Sequence, residues 1–396
     1  MLSFRDKRIN LFNLISYIVF FLFFFLLSLV IFFISFNVGN KGISIQLAGG
    51  GDDGTFYYNE VMRILSGDKS NLTSVYPLIL SVFPKLFGVS DYMVVYYRLF
   101  NVLGVLLLLL ISVKTAKYTI SNEIGKQTNH LRLGVLFSCF YMFYISFVIV
   151  AVFSIYRDVW IYFFYILSTY CGLKLLRKFS FIYFFLLIIS LASLYLFREY
   201  AAFSYVLAFI IFTINKSRFF AGNKFRTLIL AVISLGLYFT FFLNYKVPIL
   251  DMSLSDALNY RLYFIEKFTS GSQLGINLTE GTYLSFLKNY SLSFFYNLLS
   301  PLPWQIRNIQ YLVIFLCESL PLILILIFLL KKKEMIKGNK ELEFLIIHAT
   351  TWMALISITN DNIGAGTRLR AITYILIVIV FFVVRFVERE KIARKD

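Results

Sequence analysis

An all-α integral membrane protein with about ten transmembrane helices is predicted by this sequence, on three observations. Of 396 residues, 59% are hydrophobic and 15% charged, and the mean hydropathy is +0.78; a water-soluble domain of that make-up would carry a large exposed apolar surface. Apolar runs recur at lengths near the roughly 20 helical residues needed to cross a hydrocarbon core. Basic residues gather in alternate connections between those runs.

The runs are 11–37, 94–113, 133–153, 159–173, 180–197, 200–215, 227–244, 309–330, 342–358 and 371–387. With the N-terminus in the cytoplasm, that side takes the arm Arg5/Lys7/Arg8 and segments 114–132, 174–178, 216–226, 331–343 and 385–396. These hold 24 of the 38 Lys and Arg but 8 of the 21 Asp and Glu. Nearly all of the net charge of +17 therefore lies on one face, which fixes the orientation with both termini cytoplasmic. The basicity is a topology signal, and no nucleic-acid partner is expected. The first run, at 27 residues, exceeds a signal core and lacks a small-residue cleavage site, so it reads as a retained helix. No repeat or separate soluble domain interrupts the chain, and 1–396 is taken as one multi-pass domain.

Two outer loops are long, 38–93 and 245–308. In the first, 55–66 and 74–87 carry apolar and aromatic residues near helical spacing and read as interfacial helices. In the second, 254–269 and 282–299 are amphipathic, and Ser300-Pro301-Leu302-Pro303-Trp304-Gln305 forms a turn with an interfacial Trp. This loop reads as a lid or a cap. Cys139, Cys171 and Cys317 fall inside spans without metal or disulfide spacing and read as packing residues. His130 and His348 fall at cytoplasmic ends, so no His-based centre is expected.

The chemistry concentrates at the outer ends. Gly-Gly-Gly-Asp-Asp-Gly at 49–54 follows the first span and presents Asp52 and Asp53 on a backbone that ligands can approach closely. Carboxylates there can act as a general base or ligate a divalent cation. Arg157-Asp158 links spans 3 and 4, and Arg198-Glu199 links spans 5 and 6. Asp361, Arg368 and Arg370 lie in the link between spans 9 and 10. Arginine forks suit phosphate oxygens, so several converging on one cavity would hold an anionic lipid head group. Glu318 stands near the middle of span 8, where an ionised carboxylate is costly, and is expected to be neutral or paired against another helix.

The order of these features resembles the start of the GT-C glycosyltransferases of the protein mannosyltransferase and aminoarabinose transferase type. The resemblance rests on Asp52-Asp53-Gly54-Thr55-Phe56-Tyr57-Tyr58, Tyr76-Pro77-Leu78 and Leu86-Phe87-Gly88 in the first outer loop. It extends to the Arg157-Asp158 link and to Gly366-Thr367-Arg368-Leu369-Arg370 before the final helix. The chain departs from the family in carrying Asp at the second acidic position and Tyr-Pro for Pro-Pro. The resemblance implies sugar transfer from a polyprenyl-phosphate donor to a glycan or lipid acceptor on the outer face of the membrane, with inversion at the anomeric carbon. It implies Asp52, or next Asp53, as the base, and Arg157, Arg198, Arg368 and Arg370 as donor-phosphate ligands. Asp158 would orient an arginine or join a metal site; Glu318 and Glu199 are further candidates, and the cofactor is open. The abundance of Ile, Phe, Lys and Asn suits a bacterial surface-polysaccharide locus, hence a bacterial cytoplasmic membrane. Two alternatives stay open: a polymerase of O-antigen or capsule repeat units using lipid-diphosphate oligosaccharides, and a transporter of lipid-linked sugars. A transporter tends to show repeats and midplane polar groups, and apart from Glu318 the charges here gather at span ends.

Overall fold

The computed structural model describes residues 4–45, 53–68, 72–90, 92–124, 132–216, 243–247, 250–267, 272–279 and 282–392. Among them there are helices, turns and loops and no strand, with two isolated bridges, Val247 to Met252 and Gln273 to Asn362. Helix is the form a chain this apolar must take in lipid, because it satisfies each backbone N–H and C=O within its own segment. Six helices are long and apolar enough to cross a membrane. A bent pair of helices passes the same test jointly and would make a seventh. Of the remaining expected spans, 180–197 is a 17-residue apolar helix and 200–215 lies in an 18-residue helix. All but the last two residues of 227–244 lie outside the described residues. Two compact units divide the chain, one of 1–198 with 385–396 and one of 199–384.

In the first unit, α1 (Phe4–Asn37) buries one seam through Phe20, Phe24, Ser28, Ile31 and Ser35. Leu11, Ile18, Leu22, Leu26 and Phe33 stay exposed on its other faces. A stripe at three- and four-residue spacing against bare apolar faces is the pattern of a helix packed on one side and bathed in lipid on the other. Two short helices follow, α2 (Asp53–Leu65) and α3 (Tyr76–Phe87), close to the expected interfacial pieces. Next comes α4 (Met93–Ile124), then α5 (Leu133–Phe143) and α6 (Ile145–Phe153), which meet at 78°. The break falls at Tyr144, whose backbone leaves the helical region at φ −80°, ψ 89°, with no proline or glycine to announce it. Arg98 of α4 donates to the Gly42 and Ile43 oxygens in the loop after α1 and to the Val152 oxygen at the end of α6. An arginine at orphan carbonyls satisfies acceptors that lipid cannot. The hairpin of α7 (Asp158–Arg177) and α8 (Phe181–Phe197) closes the unit, pinned by a 2.8 Å bond between Ser168 and Ser190.

In the second unit, α9 (Glu199–Lys216) packs on α13 (Lys340–Thr359). His348 lies well inside α13 and not at a helix end, fully buried between the rings of Tyr205 and Phe344, 4.4 and 4.3 Å away. The expected amphipathic pieces of the second long loop are α10 (Leu254–Lys267) and α11 (Tyr283–Leu299). Then follow α12 (Ile309–Lys331), the short α14 (Ile363–Leu369) and α15 (Ala371–Ile392). One wide turn interrupts α12 at Phe315–Ser319 and carries Glu318.

Candidate functional site

In the first unit, α2 begins at Asp53, so this carboxylate stands where helix N–H groups point outward and a negative charge is favoured. Asp52 and the glycines before it lie outside the described residues. Gly54 lets α2 approach the chain that leaves α6: a Cβ there would come within 2.0 Å of Ser154 Oγ and 3.2 Å of the Ile155 backbone nitrogen. One turn on, Tyr57 is buried at 3% exposure. Burial pushes its hydroxyl up to about 12 against the pull of Arg157, with Asp158 raising it, Arg198 lowering it and Asp53 raising it again. Four of the charged residues singled out in the sequence therefore gather round one phenol.

Two of the four neutralise each other. Arg198 Nη1 donates to Asp158 Oδ1 at 3.0 Å, with both side chains buried. Asp158 opens α7 and Arg198 caps the end of α8, so the α7–α8 hairpin itself brings them to one level. Arg157 is differently placed. Its guanidinium lies 5.7 Å above the Tyr57 ring centroid, and Nη1 reaches Thr73 O only at 3.5 Å. Its buried Nε meets no acceptor among the described residues. A half-buried cation with donors to spare suits an anion.

Tyr57 and Arg157 rest on a rigid frame. Tyr76 of α3 meets the Tyr57 ring edge to face at 5.2 Å and donates to Asn101 Oδ1 at 3.1 Å. Asn101 in turn donates to Tyr156 O at 2.9 Å, next to Arg157. The Val75 N–H donates to Leu196 O at 3.0 Å, tying the first long loop to the turn that carries Arg198.

The second unit uses its charges internally. Arg261 of α10 forms an ion pair with Asp361 and donates to the oxygens of Ile276, Ser293, Ser357 and Asn360. Asp361 also accepts the N–H groups of Gly275 and Ile276, at 2.9 and 3.1 Å. Arg370, fully buried, donates to Glu318 Oε2 at 2.7 Å and to the oxygens of Leu298 and Ser300. The expectation that Glu318 is paired is met, and its partner is a residue expected at the donor phosphate. Arg368 is half-buried on α14, and Glu199 is exposed at the start of α9.

Family models, curated proteins and solved structures yield no match to this chain. The site is therefore read from its own residues. Among the described residues no three His, Cys, Asp or Glu side chains come together as metal ligands do. Sequence reasoning did not single out Tyr57, Tyr76, Asn101, Arg98 or Arg261 as site or frame residues. An arginine or asparagine inside an apolar run is the signal that could have found Arg98 and Asn101. The arrangement in the first unit offers a carboxylate at a helix start, a cation with unused donors, a buried ion pair and a neutral phenol between them.

Proposed function

We propose that the chain is a membrane glycosyltransferase. It would move a sugar from a polyprenyl-phosphate donor to a glycan or lipid acceptor at the outer face of a bacterial cytoplasmic membrane. The observation that carries this reading is the gathering of Asp53, Arg157, Asp158 and Arg198 around Tyr57. Phosphate leaves without a general acid, so the barrier lies in deprotonating the acceptor hydroxyl and in stabilising charge that moves onto the phosphate. Asp53, or its neighbour Asp52, is the proposed base. Arg157 is the proposed phosphate ligand, because among the described residues its guanidinium meets the Tyr57 ring and, at 3.5 Å, Thr73 O, and pairs with no carboxylate, while Arg198 holds Asp158. Asp158 and Arg198, neutralised by each other, would hold the end of the α7–α8 hairpin beside Tyr57. Arg370, paired with Glu318, is then a structural cation of the second unit. Attack of the acceptor oxygen on the anomeric carbon expels the lipid phosphate and inverts configuration.

Membranes carrying the wild type, Asp53→Asn or Asp52→Asn/Asp53→Asn test this with a radiolabelled polyprenyl-phosphate monosaccharide. Loss of the base should cut sugar release by about 10²–10⁴-fold in the double variant. Wild-type turnover by that variant would remove both carboxylates from the role. Turnover confined to diphosphate-linked oligosaccharides would favour the repeat-unit polymerase.

A further inference from the structure

At the end of α7 opposite Asp158, the Lys174 ammonium sits among three tyrosine rings: Tyr118 of α4 at 3.9 Å from the centroid, Tyr170 of α7 and Tyr183 of α8, both at 5.5 Å. Sixteen helical residues separate Lys174 from Asp158, about 24 Å along the axis, so on the multi-pass reading the cage lies at the other membrane surface from the candidate site. Three helices meet there, and each brings a ring. Arg177, one turn further, is exposed and donates to Asn122 at 2.6 Å. Lys178 is exposed at the end of α7, and Lys114 is exposed on α4 one turn before Tyr118.

An interfacial lysine ordinarily extends to water or to a carboxylate. Lys174 is half-buried, and among the described residues its ammonium meets ring faces and no carboxylate or carbonyl. Rings attract a cation but accept its three N–H bonds poorly. The ammonium is thus held in place with donors available, on a surface where further cations stand and tyrosines sit at head-group depth. We propose that this cage is a binding site for the phosphate of an anionic phospholipid head group, with Lys174 as the central ligand and Arg177 at its rim. The proposal does not depend on the transfer chemistry. Charge complementarity and the apolar flank of α8, where Phe181, Ile182 and Phe185 are exposed, favour a lipid over a soluble anion.

The test uses the purified full chain in detergent, offered phosphatidylglycerol or phosphatidylcholine, with retained lipid counted by native mass spectrometry. The wild type should retain phosphatidylglycerol in preference. Lys174→Gln should lower that retention about fivefold, the factor expected for one cation near an anionic surface. Lys332→Gln, at a basic helix end of the second unit, should leave it unchanged. Equal retention by Lys174→Gln and wild type would overturn the proposal, as would an equal loss in Lys332→Gln, which marks diffuse surface charge. Acylation of Lys174 in the wild type gives a readout free of folding defects: phosphatidylglycerol should slow it and phosphatidylcholine should not. Protection by inorganic phosphate as strong as that by phosphatidylglycerol would replace the lipid with a soluble anion and refute the assignment.

Discussion

The Asp158–Arg198 pair is the strongest constraint on the candidate site, and replacing Asp158 with Asn tests it directly. Both side chains are buried, at 0% and 8% exposure, with 3.0 Å between Oδ1 and Nη1. Asn keeps the shape but leaves the guanidinium charged and without its carboxylate in a poorly solvated place. Removing one partner of a buried pair costs about 3–5 kcal/mol, most of it the penalty of the charge left behind. Replacing both with residues of similar volume, Asp158→Asn with Arg198→Met, removes that stranded charge. The double variant should therefore be more stable than Asp158→Asn alone, and the coupling should reach about 1–3 kcal/mol. Denaturant or thermal unfolding in detergent, followed by helical circular dichroism, reads all four corners of the cycle. Costs that simply add, or an Asp158→Asn protein within about 0.5 kcal/mol of wild type, would refute the claim that this pair holds the α7–α8 hairpin ends together.

Three further outcomes follow from the geometry. Gly54→Ala should cost about 1–3 kcal/mol through overpacking, because its Cβ would stand 2.0 Å from Ser154 Oγ. Ser154→Ala in the same chain should recover part of that loss in the same melt. Tyr57 has a folded pKa raised to about 12 from 10.0, so the neutral phenol stabilises the fold fully below the unfolded value and the benefit is lost as pH rises through the folded one. Across that window the wild type should lose up to about 3 kcal/mol relative to Tyr57→Phe, measured as the difference between their pH–stability curves; parallel curves would contradict it. Glu318→Gln should destabilise by about 3–5 kcal/mol, since it strands a fully buried Arg370, and Glu318→Gln/Arg370→Met should unfold later than the single variant.

Much of the helix inventory was legible in the sequence because hydrophobic runs and their basic flanks are local signals. The pieces expected at 55–66, 74–87, 254–269 and 282–299 lie within a few residues of α2, α3, α10 and α11. Asp158 and Arg198 could be expected near each other because a short hairpin returns the chain to its starting level. The partners of Arg261 and Arg370 could not, since Asp361 lies 100 residues from one and Glu318 52 residues from the other. Pairing at that separation is decided by tertiary packing alone. The break at Tyr144 left no trace either, for no Gly or Pro marks it and the apolar run 133–153 continues straight across.

Arg261 has a consequence for how the second unit breathes. Its guanidinium holds oxygens from the 273–279 segment, α11, and the end of α13 with the residues just after it, while Asp361 holds the amides of Gly275 and Ile276 from the other side. No one of these segments can lift away without breaking a hydrogen bond to a buried charge. Their slow amides should therefore exchange with deuterium together, in one opening event shared by residues far apart in the chain, with the 273–279 segment tied to both members of one ion pair.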